Sequence, residues 1–126
     1  MQSYKDLDIY RLAHKLAIEV HHMTTEELPS FERYEEGSQI RRSAKSISAA
    51  IVEGFGRKSY QQEFSKYLTY AIASCDETKE HLELLWKTGS LKNRDRFESL
   101  AKGYDELGKK LYRFRETVQR NLRPHP

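Results

Sequence analysis

Apolar residues in this chain recur at alternating steps of three and four, and they do so in four separate runs. Ile9, Ala13, Leu16, Val20 and Met23 are spaced 4, 3, 4, 3. Ile40, Ala44, Ile47 and Ile51 continue the same rhythm into Gly54 or Phe55. Phe64, Leu68, Ala71, Cys75, Thr78, Leu82 and Leu85 hold it in a third run, and Phe97, Leu100, Tyr104, Leu107, Leu111, Phe114 and Val118 in a fourth. This spacing puts one apolar seam on each of four helices, and none of the runs alternates with the period of two that a strand requires.

The breaks between runs carry their own signals. Pro29-Ser30 separates the first from the second, because proline cannot continue a helix interior. Ser38 is the expected N-cap of the second helix after a looser turn at 31–37. Gly54 and Gly56 weaken that helix's end, and Ser59-Tyr60-Gln61-Gln62 reads as a capping box opening the third. Gly89 stands where a glycine would stop the third helix, and Asn93 can cap the fourth. Helices are expected near 5–25, 38–57, 60–88 and 93–122, with a frayed tail at 123–126. Connections this short make neighbouring helices antiparallel, so the chain reads as one all-α domain, an up-and-down four-helix bundle.

Charged residues make up 33% of the 126 positions, which suits narrow buried seams between wide solvated faces. The net charge of +3 is unevenly distributed. Residues 26–40 carry five glutamates against Arg33, whereas residues 90–126 carry ten Lys/Arg against five Asp/Glu. No run approaches the roughly 20 apolar residues of a membrane span, and no signal-peptide core opens the chain. A single cysteine, Cys75, excludes an internal disulfide. These features lead to the expectation of a reducing, cytoplasmic setting without membrane association.

Catalytic signals are weak. Gly54-Phe55-Gly56-Arg57-Lys58-Ser59 has the wrong glycine spacing for a phosphate loop and follows a helix rather than a strand. His14 and His21 lie a heptad apart, and His22 with Glu26 could touch a metal, but no second ligand pair of di-metal bundle spacing exists. Cys75 falls on the apolar seam as a small hydrophobe. Tyr67, Tyr70, Tyr104 and Tyr112 are read as packing residues or subunit contacts, with packing accounting for most. No nucleophile–base pair is visible, so the expectation is a binding protein with no catalytic residue, metal or cofactor.

The basic residues therefore decide the functional reading. In the fourth helix Glu98–Lys102, Asp105–Lys109, Glu106–Lys110 and Glu116–Arg120 are i, i+4 pairs in the favourable orientation. Arg113, Arg115 and Arg123 have no such partner. In the second helix Arg41, Arg42 and Lys45 lack any carboxylate three or four residues away. They could meet the acidic residues Glu32, Glu35 and Glu36 of a neighbouring copy, or they could meet phosphate. Arg57, Lys58, Lys109, Lys110, Arg113, Arg120 and Arg123 are the candidate contacts to nucleic acid.

The second helix is also distinctive as a motif. Ser38-Gln39-Ile40-Arg41-Arg42-Ser43-Ala44, then Ser46-Ile47, then Ile51-Val52-Glu53-Gly54, resembles the bacterial 23S rRNA intervening sequence proteins. Leu28-Pro29 with Glu32-Arg33-Tyr34 is similar to that family's Pro-x-x-Glu-Arg-Tyr connection. Phe64, Leu68, Ala71, Ser74 and Glu77 match its third-helix spacing. The likeness covers roughly residues 4–90. Ala50 stands where the family usually has Asn, Ser48 where Pro is common, and Glu36-Gly37 where Leu-Thr is usual. The resemblance implies an up-and-down bundle associating into a homo-oligomeric ring, often a pentamer. It further implies, by analogy with accessory subunits of diversity-generating retroelements, binding to RNA or DNA and to a reverse transcriptase or another protein. The alternative is a scaffold or protein-interaction subunit that makes no direct contact with nucleic acid.

Overall fold

The computed structural model describes residues 3–121. A single 3-10 turn, Tyr4–Asp6, precedes five helices: α1 Asp8–Glu26, α2 Ser30–Arg33, α3 Glu36–Phe55, α4 Gln61–Lys87 and α5 Arg94–Arg120. The four long helices form the bundle, and α2 is one turn laid across its end. Consecutive long helices pack against each other, α5 closes the ring of contacts on α1, and the diagonal pairs α1/α4 and α3/α5 make no close backbone approach. Cross-helix pairs confirm the antiparallel sense. Gly54 near the end of α3 meets Phe64 near the start of α4, while Ser43 and Thr78 are hydrogen-bonded toward the other ends.

The seams read from the sequence are the core. All five residues of the first run are buried, as are Ile40, Ala44, Ile47, Ile51 and Phe55 of the second and every member of the third. In the fourth, Leu100, Tyr104, Leu107, Leu111 and Val118 are buried, with Phe97 and Phe114 packed half-buried at the margin. Burial of this apolar surface is the main stabilising term, at roughly 25 cal/mol per Å².

Helix boundaries follow capping chemistry. Asn93 caps α5 as expected, its Oδ1 accepting the Arg96 N–H at 3.1 Å. Gly89 adopts φ +83° just beyond the end of α4, a left-handed conformation that favours glycine. Ser38, in contrast, is not a cap: α3 starts at Glu36, and the Ser38 hydroxyl donates to the Glu35 carbonyl at 2.9 Å. Glu32 does the capping from α2, its carboxylate accepting the Glu36 N–H at 3.1 Å. An anion there meets the unpaired N–H groups and positive dipole end of α3. The expected Ser59–Gln62 capping box is also absent. Tyr60 precedes α4 without a side-chain cap, and the Gln61 amide donates to the Lys58 carbonyl at 2.7 Å. The N-terminal turn, folded into the first helix by the sequence reading, is a separate capping box between Ser3 and Asp6.

Candidate nucleic-acid interface

The antiparallel order brings the basic segments together. The N-terminal turn, the α3–α4 connection and the C-terminal part of α5 share one end of the bundle. Residues 3–11, 53–66 and 110–121 hold nine Lys/Arg against five Asp/Glu, whereas residues 23–41 and 77–96 at the other end hold seven against nine. The bundle is electrostatically polarised along its axis.

Pairing sharpens this picture and corrects the sequence reading of α5. Of the four expected i, i+4 pairs only Glu106–Lys110 forms, at 3.5 Å. Asp105 reaches across to Lys79 of α4 at 2.9 Å, which leaves Lys109 without its expected partner. Glu116 and Arg120 do not pair, and the Arg120 guanidinium donates to Thr117 Oγ1 at 3.2 Å. Among the described residues, Arg57, Lys58, Lys109, Arg113 and Arg120 have no carboxylate at ion-pair distance. Arg123 lies outside the described residues.

Lys110 belongs elsewhere. It forms an ion pair with Asp8 at the start of α1: the Asp8 carboxylate raises the Lys110 ammonium above the usual lysine value, and Lys110 holds the Asp8 carboxyl below the usual carboxylate value. The hydrogen bond between the two is the main cause of both shifts. This lysine is a clasp between α5 and α1, and it is removed from the candidate phosphate contacts.

Cations at the basic end sit against aromatic rings. The Arg57 guanidinium lies 4.6 Å from the centre of the Tyr67 ring and donates to the Glu53 carbonyl at 2.9 Å. Lys58 Nζ lies 3.9 Å from the Phe55 ring centre. Arg115 lies over Tyr112 at 4.9 Å and donates to Thr69 Oγ1 at 3.1 Å. Tyr112, with Lys109 and Arg113, lines an open depression between α4 and α5 of about 690 Å³. Packing does not account for Tyr70 or Tyr112, which are 50% and 55% exposed, whereas Tyr104 is wholly buried and its hydroxyl has no partner.

The residues assigned to subunit contact or phosphate divide in two. Glu32, Glu36 and Arg41 are engaged within the chain. Glu32 is buried and accepts the Ser90 hydroxyl, Glu36 contacts His81 Nδ1 at 2.6 Å, and Arg41 donates to the Arg33 carbonyl at 2.8 Å. Arg42, Lys45 and Glu35 are exposed and form no ion pair among the described residues. His81, whose other ring nitrogen lies 3.2 Å from Glu77, was not singled out in the sequence. Its signal was its place at i+4 from Glu77. Among the described residues no group of three His, Cys, Asp or Glu side chains is arranged to hold a metal, and no helix is long and apolar enough to cross a membrane.

The fold and this end of the bundle define a class: a small antiparallel four-helix bundle with a cationic, aromatic-studded end. Residues 5–113 match the model of the 23S rRNA-intervening sequence protein family, and the chain belongs to that family. The structure is similar to that of a protein of unknown function from the S23 ribosomal protein family of Bacteroides thetaiotaomicron. The TM-score is 0.77 at 25% sequence identity, over 86% of this chain and 95% of that one. The comparison with curated proteins gave no match.

Proposed function

We propose that this protein acts by binding rather than catalysis, as a cytoplasmic homo-oligomeric ring, a pentamer, that holds RNA or DNA by its phosphate backbone. The observation carrying this reading is the set of cations at one end, Arg57, Lys58, Arg113 and Arg120 with Lys109 beside them, that have no carboxylate partner among the described residues. Phosphate contacts of this kind supply affinity without sequence readout, and they weaken steeply as salt rises. A ring would repeat the same cationic end in each copy, multiplying weak contacts into useful avidity.

Light scattering of the purified protein, alone and with a short RNA or a short duplex DNA, tests both halves. The expected result is a pentamer-sized particle that takes up nucleic acid at low salt and releases it at moderate salt. A ring indifferent to both ligands favours the scaffold reading, for which Phe31 on α2 and Tyr34 just after it, 66% and 81% exposed, offer a protein-contact surface. A monomer that binds neither ligand overturns both.

A further inference from the structure

The stripe of α4 that borders α3 changes character along its length. Glu77 and His81 stand at the acidic end, Ser74 in the middle, and Tyr70 and Tyr67 toward the basic end, with Tyr60 at the cap position just before the helix. Tyr60 is 71% exposed at the mouth of the α3–α4 connection. At a rise of 1.5 Å per residue it lies roughly 10 Å along the axis from Tyr67. Between the helices beside these rings is an open slot of about 200 Å³. It is lined by Ala49 and Ala50 of α3 and by Tyr67 and Tyr70, which meet edge to face at 5.4 Å, and Ser46, Glu53 and Ser74 add polar atoms. Arg57 covers the Tyr67 ring from the cationic side.

We infer that this slot takes an unpaired nucleobase, which makes the preferred ligand single-stranded nucleic acid. The inference rests on the phosphate-binding reading above and adds the base. Three features carry it. Half-exposed tyrosines next to arginine and lysine are the combination on which successive bases stack while the backbone follows the cations. The small alanine side chains leave room for a flat ring beside the tyrosines. The Glu53 carboxylate, exposed and without an ion pair among the described residues, can accept from the exocyclic amine of cytosine. Duplex ends and duplex grooves offer no base free to enter.

Fluorescence anisotropy of the full chain at low salt tests this, with labelled probes of about 12 nucleotides: oligocytidine RNA, an abasic strand of equal length, and a blunt duplex. Oligocytidine is expected to bind more tightly than either of the others. Replacing Tyr67 and Tyr70 together by Leu is expected to weaken oligocytidine about tenfold or more and leave the abasic strand unchanged. The corresponding Tyr→Phe pair, which keeps both ring faces, retains binding. Equal, salt-sensitive binding of oligocytidine and the abasic strand overturns the base slot while the phosphate reading stands. Absence of binding to all three overturns both. A change of particle mass in the Leu variant assigns the slot to a second copy of the chain and overturns the proposal.

Discussion

Ser90 donates a hydrogen bond of 2.5 Å to Glu32, a carboxylate 58 residues earlier in the chain and buried with it at the acidic end of the bundle. The same carboxylate caps α3 through the Glu36 N–H. One side chain on a one-turn helix thus ties the start of α3 to the connection between α4 and α5. Glu32→Ala leaves a buried hydroxyl and a helix-terminal N–H without their acceptor, and is expected to cost about 1–3 kcal/mol. Urea unfolding measures that loss. Nucleic-acid binding, at the far end, should not change.

Gly37 carries a related prediction with an opposing term. An added Cβ would lie 2.7 Å from the Glu32 carbonyl oxygen, a backbone atom held in place by the same capping arrangement. Alanine gains about 1 kcal/mol of helix propensity, while overpacking costs about 1–3 kcal/mol. Because the obstructing atom is backbone, the clash is expected to win, and Gly37→Ala should lower the denaturation midpoint. A raised midpoint would show that α2 can move away without loss.

The Asp8–Lys110 clasp has a defined pH window. Asp8 is shifted down, so its contribution is present above the unfolded carboxylate value and is lost as pH falls through the folded one. Lys110 is shifted up, so its contribution is present below the unfolded lysine value and is lost as pH rises through the folded one. Both side chains contact solvent, so the effect is small and screened by salt. Lys110→Met should lower Tm slightly at neutral pH and low salt, with the difference vanishing in strong acid. It should leave nucleic-acid affinity unchanged, which separates this lysine from Lys109.

Cys75 is wholly buried, its thiol facing the Tyr104 carbonyl at 3.5 Å, and burial pushes its pKa up to about 11. The thiolate is the reactive form. A thiol reagent at mildly alkaline pH should therefore fail to label the folded protein and should label it fully in urea. Rapid labelling of the folded form would mean that α4 and α5 separate readily. The same raised value means that folding stability falls as pH climbs from the unfolded thiol value toward 11.

The sequence was legible where structure depends on spacing and on local capping. The four apolar seams, Asn93 as a cap and Gly89 beyond α4 follow from period and backbone preference, both properties of a few adjacent residues. Polar partners were less legible, because they depend on which helix lies alongside and at what height. Lys79 is a better-placed partner for Asp105 than Lys109, and nothing within α5 reveals that competition. Ser38 looked like a cap because the true cap, Glu32, acts from a separate short helix. The candidate site was half visible. Its cations were identified, but the failure of Lys109 and Arg120 to pair, and the gathering of Arg57 with Tyr60, Tyr67 and Tyr70, appear only once α3 and α4 are packed.

The most direct test of the central claim is the salt dependence of oligonucleotide binding, compared between the natural chain and a variant carrying Lys109→Glu, Arg113→Glu and Arg120→Glu. Affinity is expected to fall linearly on a log–log plot with salt, with a slope of roughly −0.7 to −0.9 per phosphate neutralised. The variant should lose about two to three units of that slope, with most of the affinity, at unchanged particle mass. An affinity indifferent to salt, or a variant that binds as well as the natural chain, would contradict it.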